Sequence, residues 1–110
     1  MGTIDTAIEN RALAAVKVLS RLSAVRAAYL FGSHVEGTPD RWSDIDVAVF
    51  MEGVESWDIQ RRATAMALVM EKVGSDVETH LFPVAHLDNP PRGGFAPYIL
   101  HHGVCIFKQR

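Results

Sequence analysis

The chain has 110 residues, enough for one hydrophobic core without disulfides and too few for two. Apolar residues make up 48% and charged ones 22%, with a formal net charge of -2, so a disordered chain is excluded and the positive field that drives general nucleic-acid binding is missing. No stretch nears the roughly 18 to 20 consecutive apolar residues of a membrane span, and Met1 to Glu9 has no basic lead, so the expectation is a single cytoplasmic domain over 1–110 without membrane or polynucleotide partner.

In chain order, Ile4, Ile8, Ala15, Leu19 and Leu22 step by threes and fours, with Ala12 and Val16 widening the stripe, which predicts an amphipathic helix over about Thr3 to Leu22. Val25 to Phe31 is rich in β-formers and stops at Gly32, a strand feeding a turn. Gly37, Thr38, Pro39 and Asp40 mark a loop. Ile45 to Met51 is almost continuously apolar, as in a central strand covered on both faces.

Ile59, Ala63, Met66, Met70 and Val73 predict a second long helix over about Ser56 to Val73, with Lys72 in its last turn and Gly74 as its stop. Asp76, Glu78 and His80 alternate with Val77, Thr79 and Leu81, the pattern of a strand with one polar face. After a loop holding Pro90, Pro91, Gly93 and Gly94, Phe95 to His102 reads as a short helix that tolerates Pro97 in its first turn. Val104 to Phe107 reads as a closing strand, in which Cys105 is expected as a small buried thiol of a reducing compartment. The order of elements predicts an α/β or α+β domain with a mixed sheet of about four strands flanked by helices.

The informative stretch is Leu30-Phe31-Gly32-Ser33, then ten residues, then Asp44-Ile45-Asp46. Alternate residues on a strand share a face about 6.6 Å apart, so Asp44 and Asp46 aim two carboxylates at one place. Unneutralised, such a pair repels itself, and divalent ions about 3.5 to 4 Å apart fit between groups of this kind. Oxygen donors point to magnesium rather than zinc. Gly32 permits a tight turn, after which free amides and the Ser33 hydroxyl can face an anion, with a polyphosphate as the natural occupant.

These residues resemble the nucleotidyltransferase superfamily with the polymerase-β-like fold, and within it the minimal, antitoxin-like members. Phe31-Gly32-Ser33, Gly37 and Ser43-Asp44-Ile45-Asp46 look like that family's Gly-Ser and Asp-x-Asp signature, and Tyr98 to Phe107 is similar to the short helix and strand that end its minimal members. The resemblance implies transfer of a nucleoside monophosphate from a triphosphate, AMP from ATP as the expected case. Gly32 and Ser33 would hold the phosphates, with Asp44 and Asp46 binding two magnesium ions. It also implies a third carboxylate on a later strand, binding metal and helping to deprotonate the acceptor. Glu78 and Asp76 compete for that role, and Glu78 is favoured because a strand-opening Asp can simply satisfy a turn.

Gly32 and Gly37 have P-loop spacing, but Thr38 stands where a Lys is required. His80 lies near the expected site and reads as a neighbouring or surface residue, because no His/Cys cluster accompanies it. His101 and His102 suit a helix C-terminus, and Met66 and Met70 read as core. Arg41 and Trp42 flank the Asp pair, where a cation or ring could meet nucleotide. Larger relatives cover the acceptor with a helical domain, so a one-sided site here expects a second wall, either a homo-oligomer or, as the resemblance implies, a HEPN-type toxin modified on a hydroxyl. The alternatives are an antitoxin that acts by contact alone and a transferase for small molecules of the aminoglycoside kind.

Overall fold

The computed structural model describes residues 5–36 and 44–109. Helix α1 (Thr6–Ser20) opens on Asp5, whose carboxylate accepts from the Ala7 amide at 2.7 Å, satisfying one of the donors every helix start leaves open. Strand β1 (Val25–Phe31) follows, then a one-turn helix α2 (Ser33–Glu36), strand β2 (Ile45–Met51), a 3-10 turn at Val54–Ser56 and helix α3 (Ile59–Lys72). Strand β3 (Val77–Pro83), the short α4 (Ala85–Asp88), α5 (Phe95–His102) and strand β4 (Val104–Lys108) complete the order.

The four strands form one mixed sheet in the order β3-β2-β1-β4. β1 runs antiparallel to β2 and β4, while β2 and β3 are parallel. The long α3 crossover is what a parallel pair requires, and the antiparallel pairs need no such return. β2 is an interior strand, as its almost continuous apolar run predicts.

Strand pleating sorts the residues into two cores. On one face Val25, Leu30, Ile45, Val47, Val49, Met51 and Val77 pack beneath Ala12, Ala15, Val16 and Leu19 of α1 and Ala65 and Val69 of α3. On the other, Ala27, Phe31, Ala48 and Phe50 meet Ala96 and Ile99 of α5. The first face is closed along its length by two long helices. The second is covered by one short helix and by Leu87 of α4, which leaves room for polar groups at one end.

Two expectations are corrected. The inward stripe of α3 is displaced from the predicted one: Ile59 is 85% exposed and Ala63 is exposed, whereas Ala65 and Val69 are buried. Arg62 accounts for the rotation. Its guanidinium turns inward and donates to the carbonyls of Val54 at 2.7 Å, Trp57 at 3.3 Å and Leu81 at 3.4 Å, so the helix presents residues 62, 65 and 69 to the sheet. Cys105, expected to be buried, is exposed. It sits on β4, the edge strand of the sheet among the described residues. Among the described residues, no helix is long and apolar enough to cross a membrane.

Candidate functional site

At the polar end of the second face, three strands contribute adjoining residues. Asp46 near the start of β2 lies opposite Phe31, the last residue of β1, and beside Glu78 of β3. Glu78 and His80 are two apart on β3 and therefore share its face. The register brings one donor atom each from Asp46, Glu78 and His80 within 4.8 Å of one another. His80 Nε2 lies 3.4 Å from Asp46 Oδ1, and both side chains are about a quarter exposed, at 28% and 23%. The donor set of two carboxylates and an imidazole, open to solvent, is chemically suited to a divalent cation.

Gly32 stands against this group. Its φ is +86°, and a Cβ built there would lie 2.5 Å from Asp46 Oδ2. Only glycine satisfies both the left-handed backbone and the close approach. The Val35 amide donates to the Gly32 carbonyl at 3.0 Å, closing the turn that starts α2 at Ser33. The glycine turn and the acidic group are thus in contact.

The structure separates the two carboxylates that compete on sequence. Asp76 lies just before β3, and its side chain leaves the site for α1, where Arg11 Nη1 donates to Oδ2 at 2.8 Å and Nη2 pairs with Oδ1. The Arg11 hydrogen bond holds the Asp76 carboxyl below the ordinary carboxylate range, against a smaller opposing effect of burial. The Asp76 carbonyl accepts from the Ile45 amide at 2.8 Å, aligning the starts of β2 and β3.

Asp44 is exposed, immediately before β2, and is not one of the three clustered donors. Gly37, Thr38, Arg41, Trp42 and Ser43 lie outside the described residues.

On sequence, His80 lies close to the site and has no part in it. Its spacing of two from Glu78 was the available signal. The rings around it left none, because they converge from distant elements. Phe31 meets His80 edge-on at 5.0 Å, Phe95 of α5 lies 6.1 Å from it, and Phe31 and Phe95 are 5.3 Å apart. Phe95 also stacks on Tyr98 at 5.9 Å. This aromatic flank remains partly open, with Phe95 46% exposed.

Solved structures similar to this chain share its fold. A toxin-antitoxin crystallised with AMP-PNP superposes with a TM-score of 0.61 at 21% identity, covering 93% of this chain and 74% of that one. A presumed nucleotidyltransferase from Sulfolobus solfataricus gives 0.58 at 19% identity, covering 99% and 91%. The toxin-antitoxin MntA-HepT gives 0.56 at 17% identity, covering 96% and 74%. No curated protein sequence matches the chain. The family model described as "Polymerase beta, Nucleotidyltransferase" matches residues 14–110. With its mixed four-stranded sheet and its acidic group against a glycine turn, the chain belongs to the polymerase β nucleotidyltransferase family.

Proposed function

We propose that the chain is a magnesium-dependent nucleotidyltransferase that moves AMP from ATP to a hydroxyl of a partner protein, a HEPN-type toxin, and so acts as its antitoxin. The observation that carries the reading is the contact between the Gly32 turn and Asp46. It sets the glycine turn directly against a carboxylate, with Glu78 on the adjoining strand. Residues 1–110 are read as one catalytic domain. A reaction that consumes ATP belongs in the cytoplasm, where we place it.

In this reading Gly32 and Ser33 hold the β- and γ-phosphates, through backbone amides and the Ser33 hydroxyl. Asp46 and Glu78, with Asp44 from the segment before β2, hold magnesium. A divalent ion there neutralises phosphate charge and acidifies the acceptor hydroxyl. Glu78 takes the hydroxyl proton, the acceptor oxygen bonds to the α-phosphorus, and the bond from that phosphorus to the bridging oxygen breaks, releasing pyrophosphate. Two of the similar folds are toxin-antitoxin proteins, one crystallised with AMP-PNP, which supports the choice of nucleotide and of partner. A second copy of the chain is the alternative second wall of the site.

The test is transfer of label from α-labelled ATP, with magnesium, to the protein encoded beside this chain. Labelling that disappears with Asp46→Asn is expected. Unlabelled partner that is nonetheless neutralised, and still neutralised by an Asp44→Ala, Asp46→Ala variant, would replace the enzymatic reading with an antitoxin acting by contact.

A further inference from the structure

The acidic site is not made of acids alone. Asp46 Oδ1 and His80 Nε2 are 3.4 Å apart. Donors bound to one ion at about 2.0 to 2.1 Å are separated by roughly 3.0 Å in an octahedron and 3.4 Å in a tetrahedron. The observed separation therefore needs no rearrangement to become an edge of a tetrahedral shell. Glu78 supplies a third donor within 4.8 Å of both. The His80 ring is steadied by edge contacts from Phe31 at 5.0 Å and Phe95 at 6.1 Å, which limit the rotamers it can adopt. Asp46 in turn is confined by the Gly32 backbone.

Magnesium takes oxygen donors in near-ideal octahedra and gains little from an imidazole. Zinc and cobalt(II) are borderline-soft ions that favour nitrogen, and three protein ligands with one open position are the arrangement of zinc sites that exchange a water. We propose that Asp46, Glu78 and His80 form a three-ligand site for such a borderline divalent ion, zinc or cobalt(II), binding it more tightly than magnesium. At the proposed magnesium site the borderline ion is then a competitor, which makes zinc an inhibitor of the transfer. That consequence rests on the nucleotidyl-transfer reading, whereas the binding itself does not.

The experiment titrates the full chain, without nucleotide, with ZnCl2 by calorimetry and with CoCl2 by visible absorption, alongside MgCl2. Wild type, His80→Gln and His80→Ala are compared, with circular dichroism as the check on folding. One zinc per chain is expected, together with cobalt bands of low coordination number. His80→Gln, which keeps a side chain of similar reach beside the two Phe rings, should weaken zinc roughly 10- to 100-fold and change magnesium affinity by less than about threefold, because water replaces a poor ligand at little cost. Zinc affinity unchanged in folded His80→Gln or His80→Ala overturns the proposal, as does equal weakening of zinc and magnesium. Zinc binding as expected without any transfer of label from ATP would instead retire the enzymatic reading and leave this site standing.

Discussion

The two faces of the sheet are built from the same strands and serve opposite ends. On the face under α1 and α3, sixteen residues form one buried cluster, and the sole buried polar side chain among the described residues, Thr79, lies within the strand that lines it. On the face under α5 the cluster has six buried residues, and it gives way to Asp46, Glu78 and His80 at one end. Close packing stores stability on the one face, and the half-open other face keeps its charged groups solvated. If this division is right, substitutions on one face should change stability and those on the other should change chemistry.

The sharpest test of the open face is Asp46→Asn. Transfer of label from ATP should fall by the order of 10^3, or about 4 kcal/mol, as when one preorganised charge-stabilising group is lost. The melting temperature should hold or rise, because Asp46 and Glu78 no longer repel each other across the β2–β3 pair. A variant that loses activity and melts early would show the two faces to be coupled.

The converse comes from Leu19→Ala on the closed face. Leu19 is fully buried, and its truncation should cost about 2 to 5 kcal/mol, read from the denaturation midpoint. The KM for ATP of the remaining folded protein should not move. Gly32→Ala is the intermediate case, since the positive φ alone costs about 1 to 2 kcal/mol and the new Cβ displaces Asp46 as well. Stability measured by unfolding and magnesium affinity measured by calorimetry should therefore both decline in that one variant.

Strand patterns carried most of the fold into view. Val25 to Phe31 and Ile45 to Met51 are apolar in the way interior strands must be, and Phe95 to His102 is bounded by glycines, so their limits follow from local chemistry. The one-turn helices α2 and α4 are too short for any apolar period to develop. The rotation of α3 depends on carbonyls of Val54, Trp57 and Leu81, which no spacing within the helix announces. In the site, the approach of Gly32 to Asp46 is partly legible, because a glycine ends one strand and an acid opens the next. The joining of Asp46 to Glu78 and His80 is expected only through the family resemblance, since deriving it from the residues needs the register of a parallel pair whose strands are separated by α3.

Asp76 and Glu78 bring the comparison down to two residues. An alternating strand pattern gives them one face, yet β3 begins at Val77, and Asp76 is drawn to Arg11 on the closed side while Glu78 remains on the open one. The Arg11 pair is partly exposed, 36% and 45% for the two side chains, so its contribution is expected at only about 0.2 to 1 kcal/mol. Because the folded-state pKa of Asp76 is lowered, chiefly by the Arg11 hydrogen bond, that contribution is present above the unfolded carboxylate range, near pH 4. It is lost as pH falls through the folded value. Asp76→Asn should therefore be slightly less stable than wild type at neutral pH, with the gap closing in acid and narrowing in high salt. Transfer by Asp76→Asn should stay within about twofold of wild type, whereas Glu78→Gln, with its fold intact, should lose it by roughly the 10^3 expected for Asp46→Asn. The reverse outcome, an inactive Asp76→Asn beside an active Glu78→Gln, would mean that the Arg11 pair breaks when substrate binds and that Asp76 swings across to the open face.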